Sequence, residues 1–252
     1  MEQYSNLAKC YDRLNSSFDY EALARFLASE IRENQKADTS LVLDLACGTG
    51  KLTLLLRELG FDMTGVDLSE EMLMVARDTC DQKGINNILW LNQDMTDFEL
   101  YGTVDACVCT LDSLNYLTSL DNLKKCLLLV KNYLIPDGVF VFDLNTPYRF
   151  EMIYGNNSYI LEDKDTLLAW QNHYSKRSKI CSFYLSIFER QSDDSYIRYD
   201  EIQREKCYSM KQIKSLLKEL DFEIINVYGD TQKSPVTEES EKWYFTVRNK
   251  KN

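Results

Sequence analysis

A chain of 252 residues, 44% hydrophobic and 12% aromatic, can bury a large core, which excludes the disordered and fibrous classes. Its formal net charge of −11 repels phosphate backbones and disfavours nucleic-acid partners, whose affinity rests on lysine and arginine. No apolar run approaches the roughly 20 residues that span a bilayer.

The first residues lack a basic start followed by an apolar stretch, so no secretory signal is expected. Cys10, Cys47, Cys80, Cys107, Cys109, Cys126, Cys181 and Cys207 show no C-x-x-C spacing, and read as free thiols of a reducing compartment. The sequence therefore predicts a cytoplasmic protein with no membrane segment; monomer and homodimer both stay open.

After a segment containing Tyr4 and Tyr11, residues 20–34 place Leu23, Phe26, Leu27 and Ile31 on one helical face. Residues 40–46 form a nearly continuous apolar run, as in a central parallel strand, and Cys47 to Gly50 turn the chain. Leu52, Leu55, Leu56 and Leu59 make a second helical face, with Gly60 placed to end it in the left-handed region. Residues 61–67 read as a strand. Ser69 caps the next helix, whose opening acids Glu70 and Glu71 suit the positive end of its dipole.

Residues 88–91, 104–109 and 139–143 are three further apolar strands. Between the last two, Leu123, Cys126, Leu127, Val130 and Leu134 form a helical face, and Pro136, Asp137 and Gly138 supply a turn. Strand and helix patterns thus alternate from 40 to 143 and predict a parallel, doubly wound α/β sheet. From Gly155 to Cys207 the period becomes two, with Phe183, Leu185 and Ile187 opposite Ser182, Tyr184 and Ser186, which predicts an inserted antiparallel lobe. Ser209 and Gln212 form a capping box ahead of the last helix, and strands at 222–228 and 243–248 close a seven-stranded Rossmann-like sheet. Residues 1–154 and 208–252 then make one domain and 155–207 its lobe.

The strongest functional signal is Asp44-Leu45-Ala46-Cys47-Gly48-Thr49-Gly50, at the end of the first strand, where open α/β sheets bind ligands. Glycines there let the backbone approach a ligand closely. Asp67 ends the second strand, beside this turn, where its carboxylate can take both hydroxyls of a ribose. A nicotinamide dinucleotide would need G-x-G-x-x-G, and the third glycine position holds Thr53. Asp44 also has a structural reading, as a brace of the glycine turn.

The D-x-x-x-G-x-G turn, with an acid closing the second strand, resembles the class I S-adenosylmethionine-dependent methyltransferases. The early Tyr11 and the antiparallel insertion resemble those acting on small molecules, such as the sugar N,N-dimethyltransferase and glycine N-methyltransferase groups. The resemblance implies S-adenosylmethionine as cofactor, held by Tyr11, Asp44, Ala46, Gly48, Gly50, Asp67, Leu68, Gln93, Asp94, Met95 and Leu111. Within that set, Gly48 and Gly50 would approach the methionyl part, Asp67 the ribose, Leu68, Asp94 and Met95 the adenine, and Leu111 the methionyl side. It implies methyl transfer to nitrogen or oxygen of a small-molecule acceptor. The alternatives are an NAD-dependent oxidoreductase and a non-catalytic S-adenosylmethionine-binding regulatory protein.

Asn145-Thr146-Pro147-Tyr148 resembles the N-P-P-Y signature of amino-group methyltransferases, but it follows the fifth strand where that signature follows the fourth; a helix start capped by Asn145 or Thr146 with Pro147 in its first turn is the simpler reading. His173 is the sole histidine and, with Tyr11 and Tyr116, a candidate general base. A lone histidine and the absence of H-E-x-x-H predict no metal site, and without G-x-x-x-x-G-K-[ST] there is no phosphate loop.

Overall fold

The computed structural model describes residues 18–35 and 40–250. Helix α1 (Tyr20–Asn34) starts at Asp19, whose carboxylate accepts the Ala22 N–H at 2.8 Å, the bond an acidic N-cap provides. There follow β1 (Leu41–Leu45), α2 (Lys51–Glu58), β2 (Asp62–Asp67), α3 (Glu70–Lys83), β3 (Leu89–Asn92), β4 (Val104–Cys109), α4 (Leu120–Tyr133) and β5 (Leu134–Asn145). Ser69 caps α3 by accepting the Met72 N–H, and Gly60 lies just past α2 at φ 98°, both as the sequence predicts.

The chain closes with α5 (Met210–Glu219), β10 (Phe222–Tyr228) and β11 (Lys242–Asn249). The seven strands run in the order β10-β11-β5-β4-β1-β2-β3, with β1 to β5 parallel and β11 antiparallel to both its neighbours. Winding goes outward from β1 through β2 to β3, then restarts at β4 on the other side of β1. That switch point opens a crevice at the carboxyl ends of β1 and β4.

Both faces are covered, which is why the central strands are mostly apolar. Leu123, Leu127 and Val130 of α4 and Ile213, Leu216 and Leu217 of α5 pack with Leu43, Leu45, Phe140 and Phe142 on one face. Leu23, Leu27 and Ile31 of α1 and Leu52 and Leu56 of α2 meet Val42, Ala106, Val108, Val139 and Val141 on the other. Among the described residues no helix is long and apolar enough to cross a membrane, and the described cysteines are all free.

Between β5 and α5 lies a second sheet of β6 (Ser158–Glu162), β7 (Thr166–Ser175), β8 (Ile180–Arg190) and β9 (Tyr196–Lys206), antiparallel in chain order. Its inward face has its own core of Phe183, Leu185 and Ile187 against Phe150 and Tyr154; Tyr184 points outward, following the period-two pattern.

Two local expectations change. Leu134 is the first residue of β5 and not the last of a helical face; β5 runs through the Pro136–Gly138 turn as an irregularity, with Val104 opposite Leu134 but Ala106 opposite Val139. Of the two caps proposed after β5, Thr146 is the one used: its hydroxyl accepts the Arg149 N–H at 3.1 Å ahead of a π-helical turn, Arg149–Tyr154, while Asn145 stays in the strand.

Candidate active site

The crevice holds a cavity of about 260 Å³. Its floor is the turn after β1, where Ala46, Gly48 and Gly50 all take positive φ (61°, 55° and 72°) and bend the chain back tightly enough for α2 to start at Lys51. A Cβ at Gly48 would meet nothing within 4 Å, so the backbone lies bare to a ligand there. The Gly48 N–H is itself held at 2.7 Å by Asp67 Oδ2, and Asp67 Oδ1 accepts the Ser69 N–H at 2.9 Å.

Gly50 differs from expectation. It does not line the cavity; a Cβ there would fall 2.4 Å from Cη2 of Trp90. The indole of Trp90, paired in register with Gly65 across β2 and β3, occupies the space that both missing side chains leave.

Asp44 is 2% exposed and lines the cavity. Its Oδ2 accepts the Thr53 hydroxyl at 2.6 Å, so the residue that breaks the dinucleotide fingerprint serves as a brace. Burial lifts the Asp44 carboxyl to about 7; the Thr53 bond opposes the shift, and the nearby Asp67 charge adds to it. Asp67 is raised as well, first by burial, against the N–H donors of Ser69 and Gly48.

Leu68, Gln93, Asp94, Met95 and Leu111 line the same cavity. Gln93 uses both ends of its amide on the Glu99 backbone, and Asp94 Oδ1 accepts the N–H and hydroxyl of Thr96, fixing the loop after β3. Thus Asp44, Ala46, Gly48, Asp67, Leu68, Gln93, Asp94, Met95 and Leu111 converge. Tyr11 lies outside the described residues.

Of the remaining candidate bases, Tyr116 lines the cavity and its hydroxyl donates to Gln203 Oε1 of β9 at 2.8 Å. His173 is exposed on β7, opposite Ser182, and does not line the cavity. Its neighbours Asn172 and Tyr174 are buried, and strand alternation therefore turns His173 outward.

Sequence reasoning missed Tyr20, Lys51 and Met72 as lining residues. The Lys51 ammonium lies 4.2 Å from the centroid of the Tyr20 ring. It also missed a buried charge network beside Leu111. Asp143 takes the Leu111 and Asp112 N–H groups at 3.0 and 2.7 Å, and Lys242 bonds Asp112 at 2.8 Å and Asp143 at 3.1 Å. Burial opposes the charge on Lys242, but the two carboxylates outweigh it and raise the ammonium above its usual range.

The residues fit a cationic nucleoside. The buried Asp44 and half-buried Asp67, bare backbone at Gly48 and, among the described lining residues, Lys51 as the one cation complement a ribose and an amino-acid end.

Known proteins agree with this geometry. Residues 42–138 match the family model described as a methyltransferase domain. The crystal structure of an S-adenosylmethionine-dependent methyltransferase from Clostridium acetobutylicum is 31% identical, covers 98% of this chain and 99% of its own, and superposes with a TM-score of 0.87. A glycine/sarcosine N-methyltransferase of Halorhodospira halochloris is 27% identical over 79% of this chain and 72% of its own. The dTDP-3-amino-3,4,6-trideoxy-alpha-D-glucopyranose N,N-dimethyltransferase of Streptomyces venezuelae is 34% identical over half of each chain. The strand order, the glycine turn, the acid closing β2 and the full-length likeness place this chain in the class I S-adenosylmethionine-dependent methyltransferases.

Proposed function

We propose that this methyltransferase acts on a small molecule, at nitrogen or oxygen, held between the cavity and the inward face of the β6–β9 lobe. The observation that carries the reading is the Tyr116–Gln203 hydrogen bond. It joins a residue lining the donor cavity to a buried inward row of β9, Glu201, Gln203 and Glu205. Lobes above the strand ends vary acceptor choice on a shared fold, and residues 155–207 take that part here.

Nitrogen is the atom the surroundings favour. Glu205 is fully enclosed, its carboxyl pushed well above the usual range by burial and by the Asp112 charge, and Asn145 Nδ2 donates to it at 2.9 Å. A carboxyl held above its usual range can take up the proton that an amine must shed before attack, and two relatives are named for amino groups. Membership in the methyltransferases replaces the NAD-dependent alternative.

S-Adenosylmethionine supplies a methyl group already activated on sulfonium, so alignment and exclusion of water carry most of the rate. Within this chain, Asp67 holds the ribose hydroxyls, Asp94 and Met95 close the adenine side, and Leu111 walls the methionyl side. Tyr116, oriented by Gln203, is the side chain assigned to touch the acceptor.

The test is a panel of amines, amino acids and hydroxyl compounds offered with S-adenosylmethionine, following release of S-adenosylhomocysteine. Acceptor-dependent release, with Gln203→Leu raising acceptor KM at constant donor affinity, supports the reading. Turnover confined to protein or nucleic-acid acceptors refutes it.

A further inference from the structure

The segment after β4 is where the donor cavity meets the lobe. Thr110, Leu111, Ser113 and Tyr116 line the cavity, yet the segment contains no glycine, and Leu111 and Asp112 sit at φ 56° and 61°, where L-residues are disfavoured. What holds them there comes from the next two strands of the sheet, β5 and β11.

Asp143, fully buried on β5, accepts the Leu111 N–H with one carboxylate oxygen and the Asp112 N–H with the other. Lys242, the first residue of β11, reaches Oδ2 of Asp143 and Oδ1 of Asp112. The register puts Lys242 opposite Asn145 and Tyr244 opposite Asp143, so Lys242 and Asp143 are diagonal neighbours on one face of the sheet. The backbone around Lys242 is fixed in turn, since the Glu241 carbonyl accepts the Thr146 N–H at 3.0 Å.

We propose that Asp143 and Lys242 are positioning residues whose buried pair holds the left-handed Leu111–Asp112 turn, and with it the wall against which the methionyl half of S-adenosylmethionine lies. The proposal rests on the donor assignment. Sheet order tells which half is concerned. Asp67 ends β2 and Asp94 follows β3, whereas Leu111 follows β4 on the other side of β1. A ligand with its ribose on Asp67 therefore extends its amino-acid end toward Leu111. Without Lys242, Asp112 and Asp143 repel each other and the turn relaxes, while the ends of β2 and β3 keep their own hydrogen bonds.

The experiment titrates wild type, Lys242→Met, Lys242→Arg and Asp143→Asn calorimetrically with S-adenosylhomocysteine and with 5′-methylthioadenosine, which shares the nucleoside but lacks the amino-acid half. Lys242→Met should bind S-adenosylhomocysteine roughly tenfold more weakly while 5′-methylthioadenosine keeps its wild-type affinity, and Lys242→Arg should restore most of the loss. Asp143→Asn should show the same split, and decides the matter if thermal melting shows Lys242→Met unfolded. Parallel loss of both ligands, or unchanged S-adenosylhomocysteine affinity, overturns the proposal. Wild type binding neither ligand would instead overturn the donor assignment beneath it.

Discussion

Replacing Asp44 by asparagine should change how both stability and donor affinity depend on pH. The wild-type carboxyl is 2% exposed, and burial holds it near 7 against an ordinary 3.8. Because the folded value lies above the unfolded one, this group favours the fold fully below pH 3.8, and that contribution is lost as pH rises to about 7. The shift of about three units corresponds to about 4 kcal/mol across the window. Asparagine does not titrate, so urea unfolding of the two proteins from pH 4 to pH 8 should show Asp44→Asn gaining on wild type by an amount of that order. Asp67 is present in both, and its repulsion of the ionised Asp44 is part of the difference that the variant removes.

Donor binding follows the same titration. About one molecule in ten carries an ionised Asp44 at pH 6 and about nine in ten at pH 8. The affinity for the sulfonium donor should therefore rise about tenfold over that range in wild type and stay flat in the variant. Calorimetry in two buffers of different ionisation enthalpy should detect the proton released below pH 7. Parallel stability curves, or a wild-type affinity independent of pH, would refute the assignment of a proton to Asp44.

Other expectations concern single positions. Asp67→Ala removes charge-assisted acceptors from ribose hydroxyls and from Gly48, and should weaken S-adenosylhomocysteine binding by at least about 1.5 kcal/mol in a titration; unchanged affinity removes Asp67 from the site. Gly50→Ala should lower stability by about 1–3 kcal/mol in urea, since its Cβ would strike Trp90 at a φ of 72°; a variant as stable as wild type would show that the indole yields. His173→Ala should leave donor affinity and turnover unchanged, and a kcat loss would bring the β7 outer face back into the chemistry.

Most of the sheet was legible because its signals are local. Each strand from 40 to 143 is a short apolar run, each helix has a 3.6-residue stripe, and Ser69, Thr146 and Ser209 carry their caps within three residues. The candidate donor site was legible for a related reason: the ends of β1, β2, β3 and β4 fall side by side in this topology, so Asp44 and Asp67 could be placed from the glycine turn and strand order, and Asp94 and Leu111 from the resemblance to the family. The rest depends on long-range neighbours. Asp143 and Lys242 are 99 residues apart and sit at the edges of ordinary strand patterns, where neither announces the other. The role of Gly50 depends on Trp90, which looks like any core aromatic, and composition cannot say which face of β7 His173 occupies.

The two roots of the lobe have a consequence for its evolution. Asn115 accepts the N–H of Asn145, where the chain leaves the sheet, and donates to the carbonyl of Lys206, where it returns. Entry and exit are thus clasped by one side chain, and whatever lies between begins and ends at nearly the same place. Closing a loop whose ends already meet costs little more as it lengthens, so insertions of quite different size can be exchanged at this clasp without disturbing the strands beneath. On the proposed role of the lobe, a chimera joined at 145 and 206 should carry over another member's acceptor choice, which an acceptor panel would read directly.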